Sequence, residues 1–161
     1  MYWRLSGATR TIKPLWPMFT KIVVLLSDLP EAQRALRTAI ALACASNGEI
    51  STVSILGDLP IYASFAFIGD PAGPREITEN HRHSHDELHN SAAKLAGDYG
   101  IHAAGTVIEG RAQEAIPRFL KEVNADLLVI ALHRSSSHIL WIWDAVHSLA
   151  PRVSCSVLSV H

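Results

Sequence analysis

The amino-acid sequence predicts one α/β domain with a parallel sheet and helices on both of its faces. Short apolar runs alternate with longer segments of helical periodicity, in the order βαβαβαβαβ. The short runs are almost continuously apolar and rich in β-branched residues, which is typical of strands buried on both faces. Because a helix joins each strand to the next, we expect right-handed crossovers and therefore a parallel sheet.

The first half of the chain holds two predicted strands with a helix between them. KIVVLLS, residues 21–27, is a short apolar run that predicts a buried strand. A helical pattern of small and branched apolar residues begins after Pro30 and ends at Asn47, a residue type that often follows a last helical turn. EISTVSIL, residues 49–56, predicts the second strand, and a long connection over 59–74 leads on to the next helix.

The second half of the chain repeats this alternation. Pro117 falls inside one predicted helix, so it should either kink that helix or mark its first turn. Ser137 can cap the last helix and Pro151 stops it. The predicted elements are, in order, a helix over 75–99, a strand over 102–109, a helix over 111–124, a strand over 126–132, a helix over 137–149 and a strand over 153–160.

The composition predicts a soluble, globular, cytoplasmic protein. Apolar residues make up 48% of the chain and charged residues 18%, a balance that excludes a disordered chain. The net charge of −1 gives no reason to expect nucleic acid or an anionic membrane as a partner. No apolar run approaches the roughly 20 residues of a membrane span, and the basic start of the chain lacks the apolar centre of a secretory signal. Cys44 and Cys155 show no CxxC spacing, which favours a reducing compartment.

We interpret residues 1–19 as an N-terminal extension and residues 20–161 as the folded domain. The extension is basic and carries tryptophans and prolines without any core periodicity. Pro14 and Pro17 would interrupt any helix within it. The domain is therefore expected to fold without the extension.

A polar loop follows the most apolar predicted strand. Arg134, Ser135, Ser136 and Ser137 precede a helix outside the carboxyl end of that strand, where open α/β sheets place their ligands. An arginine, hydroxyls and free N–H groups suit an anion there, and the alternative is a polar loop whose last serine caps the helix. His133 is a candidate general base or phosphate donor, although no nucleophilic arrangement is legible around it, which favours a structural role.

The segment HRHSHDELH, residues 81–89, is the most unusual in the chain. On a helix His81 points near the centre of the apolar face, His85 lies at the edge of that face, His89 on its flank and His83 on the opposite side. The pairs His81/His85 and His85/His89 have the i,i+4 spacing that can chelate a metal, but neither an HExxH motif nor a partnering cysteine accompanies them. These three histidines are weak candidate ligands, and we expect no metal site.

Three segments, in the right order, resemble the universal stress protein family. KIVVLLSDLPEAQRAL is similar to that family's first strand and helix start, VIEGRAQEAIPRFLKEVNADLLVIA to its third strand, helix and fourth strand, and APRVSCSVLSV to its closing strand. The resemblance covers nearly everything from Lys21 to Val160. It implies a Rossmann-like, five-stranded parallel sheet of the adenine nucleotide alpha hydrolase-like type, in the order 3-2-1-4-5. It also implies a homodimer paired across the last strand, at an interface formed by Val153, Cys155, Val157 and Val160.

The residues that hold nucleotide in this family are largely replaced in this chain. The resemblance places Ser27 where nucleotide-binding members carry an aspartate at the end of the first strand, and Asp28 stands one position further on. The family's G-x-x-G motif after the fourth strand aligns with a stretch in which Ala131 and Arg134 occupy the two glycine positions and His133 alone keeps a matching identity. Glycines in such loops let backbone N–H groups approach phosphate oxygens closely, and side chains obstruct that approach.

The second half of the family's motif is replaced as well. After a nine-residue spacer the family has Gly-Ser or Gly-Thr, and this chain has Trp143-Asp144 or Asp144-Ala145, depending on a one-residue gap. An acid where a hydroxyl should meet phosphate adds repulsion.

The resemblance implies a non-enzymatic, dimeric protein with a stress-response or regulatory role, and these replacements predict that it has no tight nucleotide binding and hence no cofactor. The alternative is an ATP- or AMP-binding switch, or a slow hydrolase, that uses a rearranged loop at Arg134–Ser137. An enzyme of the wider adenine-nucleotide-binding superfamily is a third hypothesis, but the sequence has neither an SGGxDS loop nor an HxGH-type motif. The candidate residues for a vestigial nucleotide or anion site are Ser27, Asp28, His133, Arg134, Ser135, Ser136 and Ser137.

Overall fold

Five parallel strands form one sheet in the computed structural model. The structure describes residues 19–27, 30–56, 73–132 and 149–161, and within 73–81 it describes the backbone alone. The strand order is β3-β2-β1-β4-β5, as predicted, and every neighbouring pair is parallel. The elements are, in chain order, β1 (Lys21–Leu25), α1 (Glu31–Ser46), β2 (Glu49–Leu56), α2 (Gly73–Gly97), β3 (Ala103–Glu109), α3 (Ala112–Glu122), β4 (Leu127–Ala131) and β5 (Ser156–Val160).

Helix α1 ends where its sequence predicts. Asn47 adopts a left-handed backbone with φ 54°, and its N–H donates to the carbonyl of Ala43. The N–H of Gly48 donates to the same carbonyl at 3.0 Å, so the last turn is closed by the Asn-Gly pair. β2 begins at the next residue and spans the predicted range.

The last strand is shorter than predicted. β5 begins at Ser156, not at Val153. Pro151 and Arg152 lie in a turn, and the N–H of Val153 still donates to the carbonyl of Leu149 at 3.1 Å. The residues before Ser156 therefore complete the end of a helical turn before the chain becomes extended. The predicted helix over 137–149 lies outside the described residues except for Leu149, which is buried.

Pro117 lies in the interior of α3, not in its first turn. Because proline has no N–H, the carbonyl of Gln113 lacks its usual partner one turn later. The helix nevertheless continues to Glu122, because burial of each large apolar side chain contributes about 1.5–3 kcal/mol. The side chains that α3 buries against the sheet are Ala115, Ile116, Phe119 and Leu120.

The described residues form two apolar core clusters, one on each face of the sheet. α1 and α2 pack over one face together with Ile22 and Val24, and α3 packs over the other with Val23 and Leu128. Neighbouring residues of β1 thus contribute to opposite clusters, as the alternation of side chains along a strand requires. Most α1 residues in the first cluster are alanines, whose small side chains let the helix lie close to the sheet.

One carboxylate fixes the start of the two central strands. Asp126, just before β4, accepts hydrogen bonds from the backbone N–H of Thr20 at 2.7 Å, from its hydroxyl at 3.0 Å and from the N–H of Lys21 at 3.1 Å. Its own N–H donates to the carbonyl of Lys21 at 3.0 Å. These bonds set the register between β1 and β4.

Phe19 also belongs to the packed part of the chain. Its side chain packs against the first core cluster, and its carbonyl accepts a hydrogen bond from the hydroxyl of Ser46 at 2.8 Å. The rest of the extension, residues 1–18, lies outside the described residues. Across the described part of the chain, no helix combines the length and the apolar character needed to cross a bilayer.

Candidate functional site

A cavity of about 530 Å³ opens between α1 and α2 beside the end of β1. This volume is within the range of small-molecule sites, about 300–1,000 Å³. The described lining residues are Leu26, Ser27 and Pro30 after β1, Ala32, Gln33, Leu36 and Arg37 from α1, and Leu88, Ser91, Ala92 and Leu95 from α2.

The cavity lies beside β1, which is one of the two strands between which the strand order reverses. β1 pairs with β2 on one side and with β4 on the other, and open α/β sheets bind ligands beyond the carboxyl ends of strands at such a point. The N–H of Leu26 donates to the carbonyl of Val53 at 2.8 Å, so the chain follows β2 for one residue past β1. Ser27 comes next and is half-buried in the cavity wall.

The described lining is mainly apolar, with a few polar groups. Ser27, Gln33 and Ser91 can exchange hydrogen bonds with a ligand, and Arg37 is the one charged group among the described lining residues. Arg37 is exposed, and no salt bridge joins it to another described residue. Neither a carboxylate nor a glycine occurs in the described lining. The arrangement therefore suits a small molecule with an apolar body and a polar or anionic group.

Of the residues predicted to form the nucleotide or anion site, the structure places Ser27 at this cavity. The other six lie outside the described residues: Asp28, His133, Arg134, Ser135, Ser136 and Ser137. Ala131, at the first glycine position of the family's motif, ends β4 and is buried in the first core cluster.

The histidine-rich helix contains a polar contact that the sequence did not predict. His89, expected on the flank of the apolar face, is only 7% exposed. Its Nδ1 lies 2.8 Å from the hydroxyl of Thr52 and its Nε2 lies 2.8 Å from the hydroxyl of Ser54. Both hydroxyls are buried on the α2 side of β2. The ring thus joins α2 to the sheet through both of its nitrogens.

Gly105 of β3 makes room for this histidine. A Cβ atom at position 105 would lie 2.6 Å from Cβ and 2.7 Å from Cγ of His89. Such separations are well inside van der Waals contact, so the absence of a side chain lets α2 approach the sheet closely enough for the ring to reach β2.

The other histidines of this helix do not converge with His89. His83 is exposed, and its Nε2 lies 3.8 Å from a carboxylate oxygen of Glu87. His85 is half-buried, and its Nδ1 is buried without a hydrogen-bond partner among the described residues. The side chain of His81 lies outside the described part. The described part of the chain contains no group of three metal-ligating residues, and both ring nitrogens of His89 already face hydroxyls.

Electrostatics favour the neutral form of His89. Burial lowers its pKa below the usual 6.5, and the nearby His85 lowers it further. Asp86 and a backbone hydrogen bond with Thr106 act in the opposite direction, with smaller effects. The ring is therefore neutral at pH 7, so one nitrogen donates a hydrogen bond and the other accepts one.

The four residues predicted at a dimer interface pack on the chain itself. Val153, Cys155 and Val157 lie against the second core cluster and Val160 against the first. Val153 and Cys155 precede β5, contrary to prediction, while Val157 and Val160 lie in it at the sheet edge. Burial raises the pKa of the Cys155 thiol, which remains protonated at neutral pH, and neither it nor the exposed Cys44 forms a disulfide.

The comparisons with known proteins agree with one another. The UspA universal stress protein of Lactobacillus plantarum superposes with a TM-score of 0.71 at 17% identity, over 88% of this chain and 97% of that one. A universal stress protein of Archaeoglobus fulgidus in complex with dAMP gives 0.61 at 18%, over 89% and 99%. A family member from Arabidopsis thaliana with AMP bound gives 0.61 at 14%, over 88% and 90%. At these identities the likeness shows a shared fold.

No curated protein is similar enough in sequence to count as a match. The family model, described as "Universal stress protein family", matches residues 18–161. That range contains the five strands of the sheet and the residues that line the cavity at the end of β1. The chain therefore belongs to the universal stress protein family.

Proposed function

We propose that this chain is a non-enzymatic, cytoplasmic, regulatory universal stress protein that does not bind ATP tightly. The observation that carries the proposal is Ser27, half-buried in the cavity wall at the end of β1. Nucleotide-binding members of the family have an aspartate there. A carboxylate accepts charge-assisted hydrogen bonds from ribose hydroxyls, and these are roughly twice as strong as those a neutral serine offers.

The phosphate side of the site supports the same proposal. Ala131 carries a side chain at the first glycine position, and that side chain is packed into the core, so the backbone there is less open to a phosphate. In the sequence, Arg134, Trp143 and Asp144 fill the remaining motif positions with bulk and with one negative charge. Arg134 alone offers an attractive contact, since arginine pairs well with phosphate.

We expect titration calorimetry to give an ATP dissociation constant weaker than roughly 100 μM, equivalent to about −5.5 kcal/mol. The same limit is expected for AMP and for cAMP. Ser27→Asp combined with Arg134→Gly should tighten binding about tenfold or more, because it restores a carboxylate acceptor for the nucleoside and frees the space for the phosphates. Gln113→Ala, at an exposed position of α3 on the opposite face of the sheet, is the control and should leave ATP affinity unchanged. A micromolar constant for the wild type would overturn the proposal.

The second candidate function is an adenine-nucleotide switch. It is favoured by similar structures in complex with dAMP and with AMP bound. Micromolar wild-type binding that is lost in Arg134→Ala would establish this switch and assign its phosphate contact to the rearranged loop.

We further propose that two copies pair along β5. The N–H of Ser156 donates to the carbonyl of Asp126, and the carbonyl of Val160 accepts from Leu132, so alternate residues of β5 bond to β4. The N–H groups of Val157 and Ser159 therefore point outward along an unpaired edge, which invites association.

Val157→Pro is expected to convert a dimer to a monomer or an aggregate in light scattering. The substitution removes an outward donor and leaves the bonds to β4 in place, and proline is tolerated on edge strands. Leu158→Pro is the contrasting variant: it removes a donor to β4, so it should lower the free energy of unfolding by about 1–3 kcal/mol. If Val157→Pro is still a dimer, the two copies do not pair along β5 and the interface lies on another surface.

A further inference from the structure

The contact between His89 and β2 is unusual because a single ring docks a helix on the sheet through polar groups buried in the core. We propose that His89 is an acid-sensitive latch: while neutral it holds α2 on β2 and β3, and its protonation loosens the helix together with the cavity wall that the helix supplies. This inference depends neither on nucleotide binding nor on a dimer.

The neutral ring satisfies every polar group at the contact. With the proton on Nδ1, His89 donates to Thr52, and the Thr52 hydroxyl donates in turn to the carbonyl of Ala104, 3.3 Å away. The Ser54 hydroxyl then donates to Nε2 at 2.8 Å. Buried polar groups that are fully paired stabilise a unique packing, whereas each one left unpaired costs about 1–3 kcal/mol.

A second proton on the ring disturbs this arrangement in two ways. Nε2 becomes a donor to which the Ser54 oxygen can accept, but the hydrogen of the Ser54 hydroxyl then loses its acceptor and has no other among the described residues. The positive charge must also be held where the side chain is 7% exposed. A buried charge is costly unless it is paired.

The elements packed against the ring supply little compensation. β2 presents hydroxyls, and its sole charged residue, Glu49, stands at its far end. β3 has one charged residue, Glu109, which already pairs with Arg82 of α2, and the backbone of Thr106 favours the charged ring with an effect smaller than that of burial or of His85. On α2 itself Asp86 attracts the charge and His85 repels it, and the effect of His85 is the larger of the two.

His85 lies one turn before His89 on the same helix, and its buried Nδ1 lacks a hydrogen-bond partner among the described residues. A positive charge on His89 therefore forms beside a neighbour that disfavours it. Protonation of His89 thus favours the state in which α2 has moved away from β2 and β3.

The direction of the pH effect follows from the lowered pKa. The unfolded or detached histidine takes up a proton near pH 6.5, whereas the docked ring resists it. The latch therefore contributes fully above about pH 6.5, and its contribution is lost as the pH falls through the docked-state pKa. Because α2 supplies Leu88, Ser91, Ala92 and Leu95 to the cavity, acid alters the shape of that site.

Hydrogen exchange measured by mass spectrometry tests the latch. Exchange rates at pH 7.5 and pH 5.5 are corrected for intrinsic exchange and compared between peptides of α2 and α1. We expect the protection of α2 to fall at least tenfold more than that of α1 in the wild-type protein. His89→Gln keeps a neutral hydrogen-bonding group and should abolish this difference. His83→Gln changes an exposed histidine of the same helix and should leave it intact.

An NMR titration of the His89 ring in the wild-type protein provides a second readout that needs no variant. The ring should titrate below pH 6.5, with the same midpoint as the α2 amide shifts. The latch is overturned by a His89 midpoint at or above 6.5, by equal loss of protection in α1 and α2, or by an unchanged α2 response in His89→Gln.

Discussion

Leu128→Ala is expected to lower the free energy of unfolding by about 3–5 kcal/mol, because large-to-small substitutions at buried leucines leave a cavity as well as losing apolar burial. Leu128 has no exposed surface and lies in β4, paired with Val23 on one side and with Val157 on the other. Its neighbours on the α3 face include Ile116 and Leu120. Because β1 and β5 flank Leu128, the surrounding side chains cannot easily fill the cavity that the substitution leaves.

Urea denaturation followed by circular dichroism measures this loss, which corresponds to a fall in Tm of roughly 10 °C for a chain of this size. Leu158→Ala is the matched control, since Leu158 is only half-buried on the edge strand β5. The control should cost about 1–2 kcal/mol, in proportion to its smaller burial. Equal losses for the two variants would contradict the assignment of β4 to the centre of the core.

Gly105→Ala is expected to lower the free energy of unfolding by about 2–3 kcal/mol, because overpacking of this kind forces side chains and backbone to shift. The new Cβ would lie 2.6 Å from Cβ of His89, and a helix side chain so close to its own backbone cannot swing aside. α2 must move outward, and the ring then loses its hydroxyl partners on β2. As water reaches the ring, its pKa should rise toward 6.5.

Gly97→Ala is the control for this substitution. Among the described residues, no atom outside the adjoining helical turns lies within 4 Å of a Cβ at position 97, and alanine is favoured over glycine in helices by up to about 1 kcal/mol. Thermal unfolding should therefore show Gly97→Ala equal to or more stable than the wild type, and Gly105→Ala less stable. If Gly105→Ala has the unfolding temperature of the wild type and the pKa of His89 stays as low as in the wild type, β3 and α2 are not in tight contact.

The arrangement of strands was predictable because its signals are local. β2 spans the range of EISTVSIL, and α1 ends at Asn47, where an asparagine takes the left-handed backbone. β5 was predicted three residues too long because Val153 and Cys155 alternate with serines like a strand. They pack on the core before the strand begins, since the turn at Pro151 still holds that part of the chain.

The histidine contact was only half predictable. A helical wheel placed His89 on the flank of the apolar face, but the partner of that flank depends on which strand lies beneath it. A usable signal was Thr52 and Ser54, two hydroxyl residues that share one face of β2 with Ile50 and Leu56. Buried hydroxyls need partners, and a histidine on the following helix is one of the few side chains that can bridge both.

The candidate site was predicted from the family resemblance more than from physical pattern. Ser27 does line a cavity at the end of β1. The sequence did not predict that α2 forms a wall of this cavity, because the spacing of Leu88, Ala92 and Leu95 is that of ordinary core residues on a helix. Their exposure to a cavity depends on the distance between two helices, which no short sequence pattern encodes.

The carboxylate of Asp126 has a consequence for how the chain reaches its native state. It joins β4 to Thr20, a residue 106 positions away, whereas β1 meets β2 after about a quarter of that separation. Closing the longer loop costs about 1 kcal/mol more in chain entropy. Pairing β1 with β2 and β2 with β3 therefore loses less chain entropy than pairing β1 with β4. Pairings between residues so far apart in sequence slow the folding of α/β domains. The hydrogen bonds of the Asp126 carboxylate to Thr20 and Lys21 stabilise this pairing once it has formed.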